Sequence, residues 1–197
     1  MCGIIAQINR AKPIDGTCFK RMRDTLTHRG PDDAGLWAST DCRVMLGHRR
    51  LSIIDLSEHG RQPMGNEDGS VQLSFNGEIY NFQELRAVLE TKGHRFASRT
   101  DSEVIVHAYE EWGDDCVEHL WGMFAFVLWD EKRQHLFGAR DRLGVKPLHY
   151  HCSETTFICA SEIKAIVENP DMPRTLDHSA VCDYLTYRYI PSPKTVW

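Results

Sequence analysis

Residues 123–140 hold two short apolar runs, MFAFVLWD and HLFGAR, separated by the four polar residues EKRQ. Short runs rich in aromatic residues and joined by a tight polar turn pair as an antiparallel hairpin. The pattern recurs where KPLHYHC and TFICA flank Ser153-Glu154-Thr155. Further strand signals stand at 3–8, 34–38, 43–48 and 71–75, the last ended by Asn76-Gly77. Helical spacing falls in separate stretches. Asp15 is placed to cap a helix whose apolar positions are Phe19, Met22 and Leu26. Asn81 opens another, with Glu84 three residues on, the stripe Leu85, Val88 and Leu89, and Gly93 at its end. Ser102–Trp112 sets Ile105, Ala108, Tyr109 and Trp112 on one face, and helices at 161–168 and 177–187 follow. Strands joined by short turns, with helices in groups of their own, predict an α+β layered domain of antiparallel sheets with helices packed outside.

A chain of 197 residues is one domain, long enough to fold without a disulfide or a metal. Its 42% hydrophobic and 26% charged residues are those of a soluble globular protein. The net charge of −5, with no basic block, argues against a nucleic-acid partner. The longest apolar run, 123–129, is too short to span a membrane, and the N-terminus lacks the features of a secretory signal. Seven scattered cysteines without a CxxC suggest a reducing compartment, so a cytoplasmic protein is expected. Cys18 and Cys182 read as buried small hydrophobes. His149 and His151 have no third ligand nearby, so no metal is expected there, nor any cofactor in this chain. Asp141 and Arg142 read as a structural turn. HRGPDDAG at 28–35 and the stretch 55–70 read as loops, the second long enough to be functional. Residues 2–187 are taken as the domain. Residues 188–197, ending in the proline-containing IPSPKTVW, are taken as the start of a linker to a further domain.

Cys2 is the most informative residue. With Met1 removed it carries both a thiol and a free α-amine, whose pKa of about 7.7–8.0 suits a base. Nucleophile and base are then preassembled, as in N-terminal threonine catalysis. Gly3 would let a substrate approach the backbone, and a strand at 4–8 would anchor the terminus. A cysteine after the initiator can also be mere chance. Asn-Gly after a strand is ordinarily a hairpin turn. Here a capped helix follows within four residues, and a side-chain amide beside a glycine N–H can form an oxyanion hole.

MCGI at the start, HRGPDD at 28–33, GHRRLSIIDLS at 47–57, FNGEIYN at 75–81, TDSE at 100–103, GMFAF at 122–126, ARDRLGVKPLHY at 139–150 and ASEIKA at 160–165 together resemble the glutaminase domain of glutamine-hydrolysing asparagine synthetases. The resemblance runs the length of the chain. It implies a class II glutamine amidotransferase with the N-terminal-nucleophile fold, a four-layer αββα sandwich of two antiparallel sheets. It implies Cys2 as nucleophile and Asn76 with Gly77 as the oxyanion pair. Arg50 would hold the glutamine α-carboxylate and Asp101, assisted by Glu78, the α-ammonium; Leu51 and Ile53 would line the pocket through their backbones. His149 stands where the family more often has another aromatic residue. The expected chemistry is hydrolysis of glutamine to glutamate and ammonia through a thioester, with the Cys2 amine moving the proton through a water. Ammonia would pass to the protein's own C-terminal synthetase domain, which would use ATP and magnesium to make asparagine from aspartate. Two other readings stay open: a non-catalytic domain of this fold, and an N-terminal-nucleophile hydrolase of another amide. A related synthetase amidating another carboxylate also fits, and a homodimer is allowed.

Overall fold

The computed structural model describes residues 1–52 and 58–197. The first sheet contains β1 (Gly3–Asn9), β2 (Asp33–Ala38), β3 (Val44–Arg50), β8 (His149–Cys152) and β9 (Thr156–Ala160), in the order β2-β3-β1-β9-β8. The second contains β4 (Met64–Gly65), β5 (Val71–Ile79), β6 (Gly122–Asp130) and β7 (His135–Arg140), in that order. Every pairing is antiparallel.

Alternate residues of one strand enter different cores. From β1, Ile5 packs with Phe19, Met22 and Leu26 of the α1 region (helix Gly16–Asp24) and with Ala165 and Ile166 of α4 (Ile163–Val167). Its neighbours Ile4 and Ala6 face the other sheet, meeting Ala125, Val127 and Trp129 of β6. The other side of β6, Phe124, Phe126 and Leu128, packs with α2 (Phe82–Thr91) and α3 (Ser102–Trp112). The order is therefore helix, sheet, sheet, helix, the four-layer sandwich expected. Strands buried on both faces read as continuous apolar runs, which is why the sequence shows little alternation.

Asp15 caps α1, its carboxylate accepting from Thr17 N at 2.8 Å and Cys18 N at 3.3 Å. Several local readings are corrected. β5 does not end at Asn76-Gly77 but continues to Ile79, because its ladder with β6 runs unbroken to Ile79–Gly122. Asn81 makes no side-chain cap; its amide instead donates to His119 O and accepts from Trp121 N. Val88 is exposed, and α2 buries only Leu85 and Leu89. Cys182 is exposed and Cys18 half-buried, because α5 (His178–Tyr187) buries only Ala180 and Cys18 lies at the rim of α1. The stretch read as loop over 55–70 contains a helical turn at Glu58–Gly60 and β4.

Asp141 has the structural role expected. Its carboxylate accepts from Phe124 N at 3.2 Å, Val145 N at 2.9 Å and Lys146 N at 3.0 Å, and these bonds hold its pKa below the usual carboxylate range against burial. Arg142 points out to Glu118. Hydrogen bonds to a charged group contribute roughly 1.5–3 kcal/mol each, and their loss strands buried donors. Asp141→Ala should therefore lower the unfolding free energy in urea by about 2 kcal/mol or more at pH 7. The difference should shrink as the pH falls below the ordinary carboxylate range, where the native carboxylate of the parent chain becomes protonated.

Candidate active site

Cys2 precedes β1 and is clamped on both sides. Its carbonyl accepts from Arg29 Nε at 2.9 Å, and Arg29 is held by Glu162 at 3.0 Å. Glu162 also binds His28 and Lys164, so HRGPDD and ASEIKA meet behind the terminus. Leu51 N donates to Cys2 Sγ at 3.4 Å, and Leu51 O lies 3.7 Å from the same sulfur. Ser52 N is tied to Asp32 at 2.8 Å, fixing the chain as it leaves β3. Packing requires the glycine at position 3, since a Cβ there would stand 2.7 Å from Leu26 Cβ. Burial raises the Cys2 thiol pKa, opposed by the Leu51 hydrogen bond and by Arg50 nearby, so the thiol needs a base to ionise.

β5 supplies the opposite wall. Asn76 is 1% exposed, and its Nδ2 is a buried donor with no partner among the described residues. Such groups are rare in folded proteins, and among those of the described residues only Asn76 lines the pocket of Cys2. The N–H groups of alternate β5 residues leave the sheet on the side away from β6. Phe75 N donates to Gln62 Oε1 at 2.7 Å and Ile79 N to Asp101 Oδ2 at 2.9 Å. Gly77 lies between them in the same phase, facing Phe124, whose own N–H and C=O are taken by Asp141. The Gly77 N–H thus points out of the ladder beyond the end of β4. A Cβ on Gly77 would lie 2.3 Å from Met123 O and 2.7 Å from Phe124 Cα, so only glycine lets β5 run this close to β6.

Cys2, Arg50, Leu51, Asn76, Gly77, Glu78 and Asp101 line one pocket, with Met1, Gln62 and Lys146. Ile53, the remaining site residue from the sequence, lies outside the described residues. Gln62 and Lys146 were missed. Lys146, 6% exposed, falls within ARDRLGVKPLHY, a motif of the resemblance, and opens a run read as a hairpin strand, with no site role given to it; nothing in the sequence marks Gln62. A larger cavity, about 490 Å³, lies at the far end of β1 among Ile8, Arg43, Trp129 and Phe157, away from Cys2.

A model of the family described as "Glutamine amidotransferase domain" matches residues 1–197. The chain belongs to this family. It is 44% identical over 187 residues to asparagine synthetase [glutamine-hydrolyzing] 3 of Bacillus subtilis, covering 93% of this chain and 30% of that protein. It is 40% identical over 178 residues to amidase chry2 of Gibberella zeae, covering 85% of this chain and 26% of that protein. The chain thus spans less than a third of the length of these relatives. Glutamine phosphoribosylpyrophosphate amidotransferase from B. subtilis shares the fold, with a TM-score of 0.72 at 21% identity over 84% of this chain and 43% of that one.

In this amidotransferase domain Asp101 carries an electrostatic load. Burial raises its pKa to about 6, opposed by the Ile79 N–H and reinforced by Glu78. A carboxyl raised in this way stabilises the fold while protonated, and that contribution is lost as pH rises through about 6. Asparagine keeps an acceptor for Ile79 N–H without the charge. Asp101→Asn should therefore unfold at higher urea than the parent at pH 8, by on the order of 3 kcal/mol for a shift of this size. The advantage should vanish near pH 4. Equal or lower stability at pH 8 would contradict the burial argument.

Proposed function

We propose that the pocket hydrolyses glutamine to glutamate and ammonia with Cys2 as nucleophile. The observation that carries this reading is the unpartnered Asn76 Nδ2, beside the Gly77 N–H that the β5–β6 phase turns out of the ladder, on the wall of the pocket that contains the Cys2 thiol. The Cys2 α-amine, freed by removal of Met1, takes the thiol proton. Sγ attacks the carboxamide carbon, and the oxyanion forms against the two donors. The C–N bond breaks as the α-ammonium protonates the departing nitrogen, which leaves as ammonia. Water then hydrolyses the γ-glutamyl thioester, releasing glutamate and restoring the thiol.

Recognition of a free amino acid follows from the charges. An arginine suits a carboxylate and an aspartate an ammonium, so Arg50 and Asp101 fit the two ends of the substrate. Glutamine binding would also relieve Asp101 of its uncompensated burial. In the longer protein the ammonia would serve a synthetase domain with bound ATP and magnesium, with aspartate as acceptor. The B. subtilis relative's name supports asparagine as product. The G. zeae relative's name favours a second reading, in which the same glutamine chemistry feeds another acceptor. A cytoplasmic setting agrees with seven free cysteines and with no helix, among the described residues, long and apolar enough to cross a membrane.

The direct test compares the chain with Met1 removed and with Met1 retained, as checked by intact mass. The first should release glutamate and ammonia in equal amounts from glutamine; the second should be inactive, because an amide nitrogen is no base. Equal activity in both would overturn the mechanism. Asn76→Ala should lower kcat about 10²–10³-fold with little change in KM, as expected for a donor used mainly in the transition state. A change in KM alone would remove Asn76 from the oxyanion site.

A further inference from the structure

On the outer helical layer, away from Cys2, two histidines and a carboxylate converge. His107 and Glu110 lie one turn apart on α3, and His94 lies in the segment after α2. One donor atom from each falls within a 4.8 Å group. Glu110 Oε2 is 2.9 Å from His107 Nδ1 and 3.6 Å from His94 Nδ1. Zinc bound at 2.0–2.1 Å by nitrogen and oxygen in a tetrahedron sets its ligands about 3.3 Å apart, so small side-chain shifts suffice.

Each of the three has an outer partner. The second nitrogen of His107 faces Glu103 at 3.8 Å, and that of His94 faces Glu111 at 3.5 Å. The other oxygen of Glu110 accepts from Asn66 Nδ2 at 2.7 Å. Carboxylates behind ligating imidazoles fix the tautomer and raise ligand basicity. The Phe96 ring stands edge-on to His107 with centroids 4.5 Å apart, shielding one side, while His94 and Glu110 on the other side are only part-covered.

From this arrangement we infer that His94, His107 and Glu110 form a zinc site with an open fourth position. Two imidazoles and one carboxylate suit zinc, whereas magnesium and calcium prefer oxygen alone. The metal must displace a proton. Burial pushes the His107 pKa down, but the bonds to Glu103 and Glu110 override it and raise it to about 9. Zinc binding therefore releases a proton and tightens as the pH rises. Bound zinc would tie the segment after α2 to the helix whose first turn follows Asp101. Sequence reading gave no hint of it, because spacings of thirteen and three residues match no familiar metal motif.

The test titrates zinc into the chain after its accessible thiols are alkylated, so that cysteine cannot supply the ligands. One equivalent should bind. His94→Ala should lose at least tenfold in affinity, and Glu111→Gln, which touches only the outer partner, roughly tenfold. Cobalt should give visible bands in the alkylated chain, and His94→Ala should lose them. Absence of saturable binding, or unchanged affinity in His94→Ala with its near-UV circular dichroism intact, would each overturn the assignment.

Discussion

The ladder between β5 and β6 does not stop at Asn76 and Gly77, and the pocket depends on that continuity. Pairing from Val71–Asp130 to Ile79–Gly122 fixes the phase of every N–H on the free edge of β5. In that phase Phe75 donates to Gln62, Ile79 donates to Asp101, and Gly77 is left between them. The same phase turns the side chains of Ser74 and Asn76 toward the first sheet, where Ser74 Oγ donates to Gly47 O and His48 Nε2 meets Phe75 O. A bulkier residue at position 77 would push β5 from the backbone of Met123 and Phe124. Both donors and the Asp101 carboxylate would then move together.

The pocket holds its groups in states the fold itself does not favour. Asn76 Nδ2 is buried without a partner, the Cys2 thiol is raised by desolvation, and Asp101 is raised to about 6. Each is unfavourable in the free chain, and in the function proposed above each would meet a different part of the reacting amide: the oxyanion, the electrophilic carbon and the ammonium. Such stored unfavourable states persist where surrounding structure over-determines them, and they lie at functional sites. His48 shows the contrast. It is fully buried and pushed down to about 4, chiefly by desolvation, so it serves as a neutral strut between the sheets and not as a base.

Much of the site was legible because its chemistry is local. Cys2 directly follows Met1, Asn76-Gly77 is a dipeptide, and Asp101 sits beside a helix start, so short motifs carry them. The strand boundary at Asn76 was misread because Asn-Gly is a turn signal that only long-range pairing can override. Gln62 and Lys146 were illegible for the opposite reason: they reach the pocket from segments with no local chemistry to mark them. Gln62 is recognised only once β5 has a free N–H beside it, and Lys146 only once Asp141 has folded the turn that delivers it. That antiparallel sheets lie inside helices was legible from the hairpins, and the four-layer order came with the resemblance, whereas the division of each strand between two cores was not legible, because apolar residues cover both faces.

Asp101 could be spared for the pocket because other residues do the capping. Its position suggests a helix cap, yet its carboxylate binds Ile79 N and makes no cap. Thr100 takes that role, its Oγ1 accepting from Glu103 N at 3.3 Å. Glu103 reaches back to Ala97 N and Ser98 N, both at 2.7 Å. This is a capping box shifted one residue earlier and extended upstream. Bonds to His107, Ser98 and Ala97 hold Glu103 at about 2 although burial opposes its charge. The segment from 97 to 103 is thereby fixed without any help from Asp101. A rigid frame of this kind is what keeps a carboxylate buried beside Glu78 instead of letting it turn to solvent. It is also why the stability Asp101 forgoes does not unfold the turn that carries it.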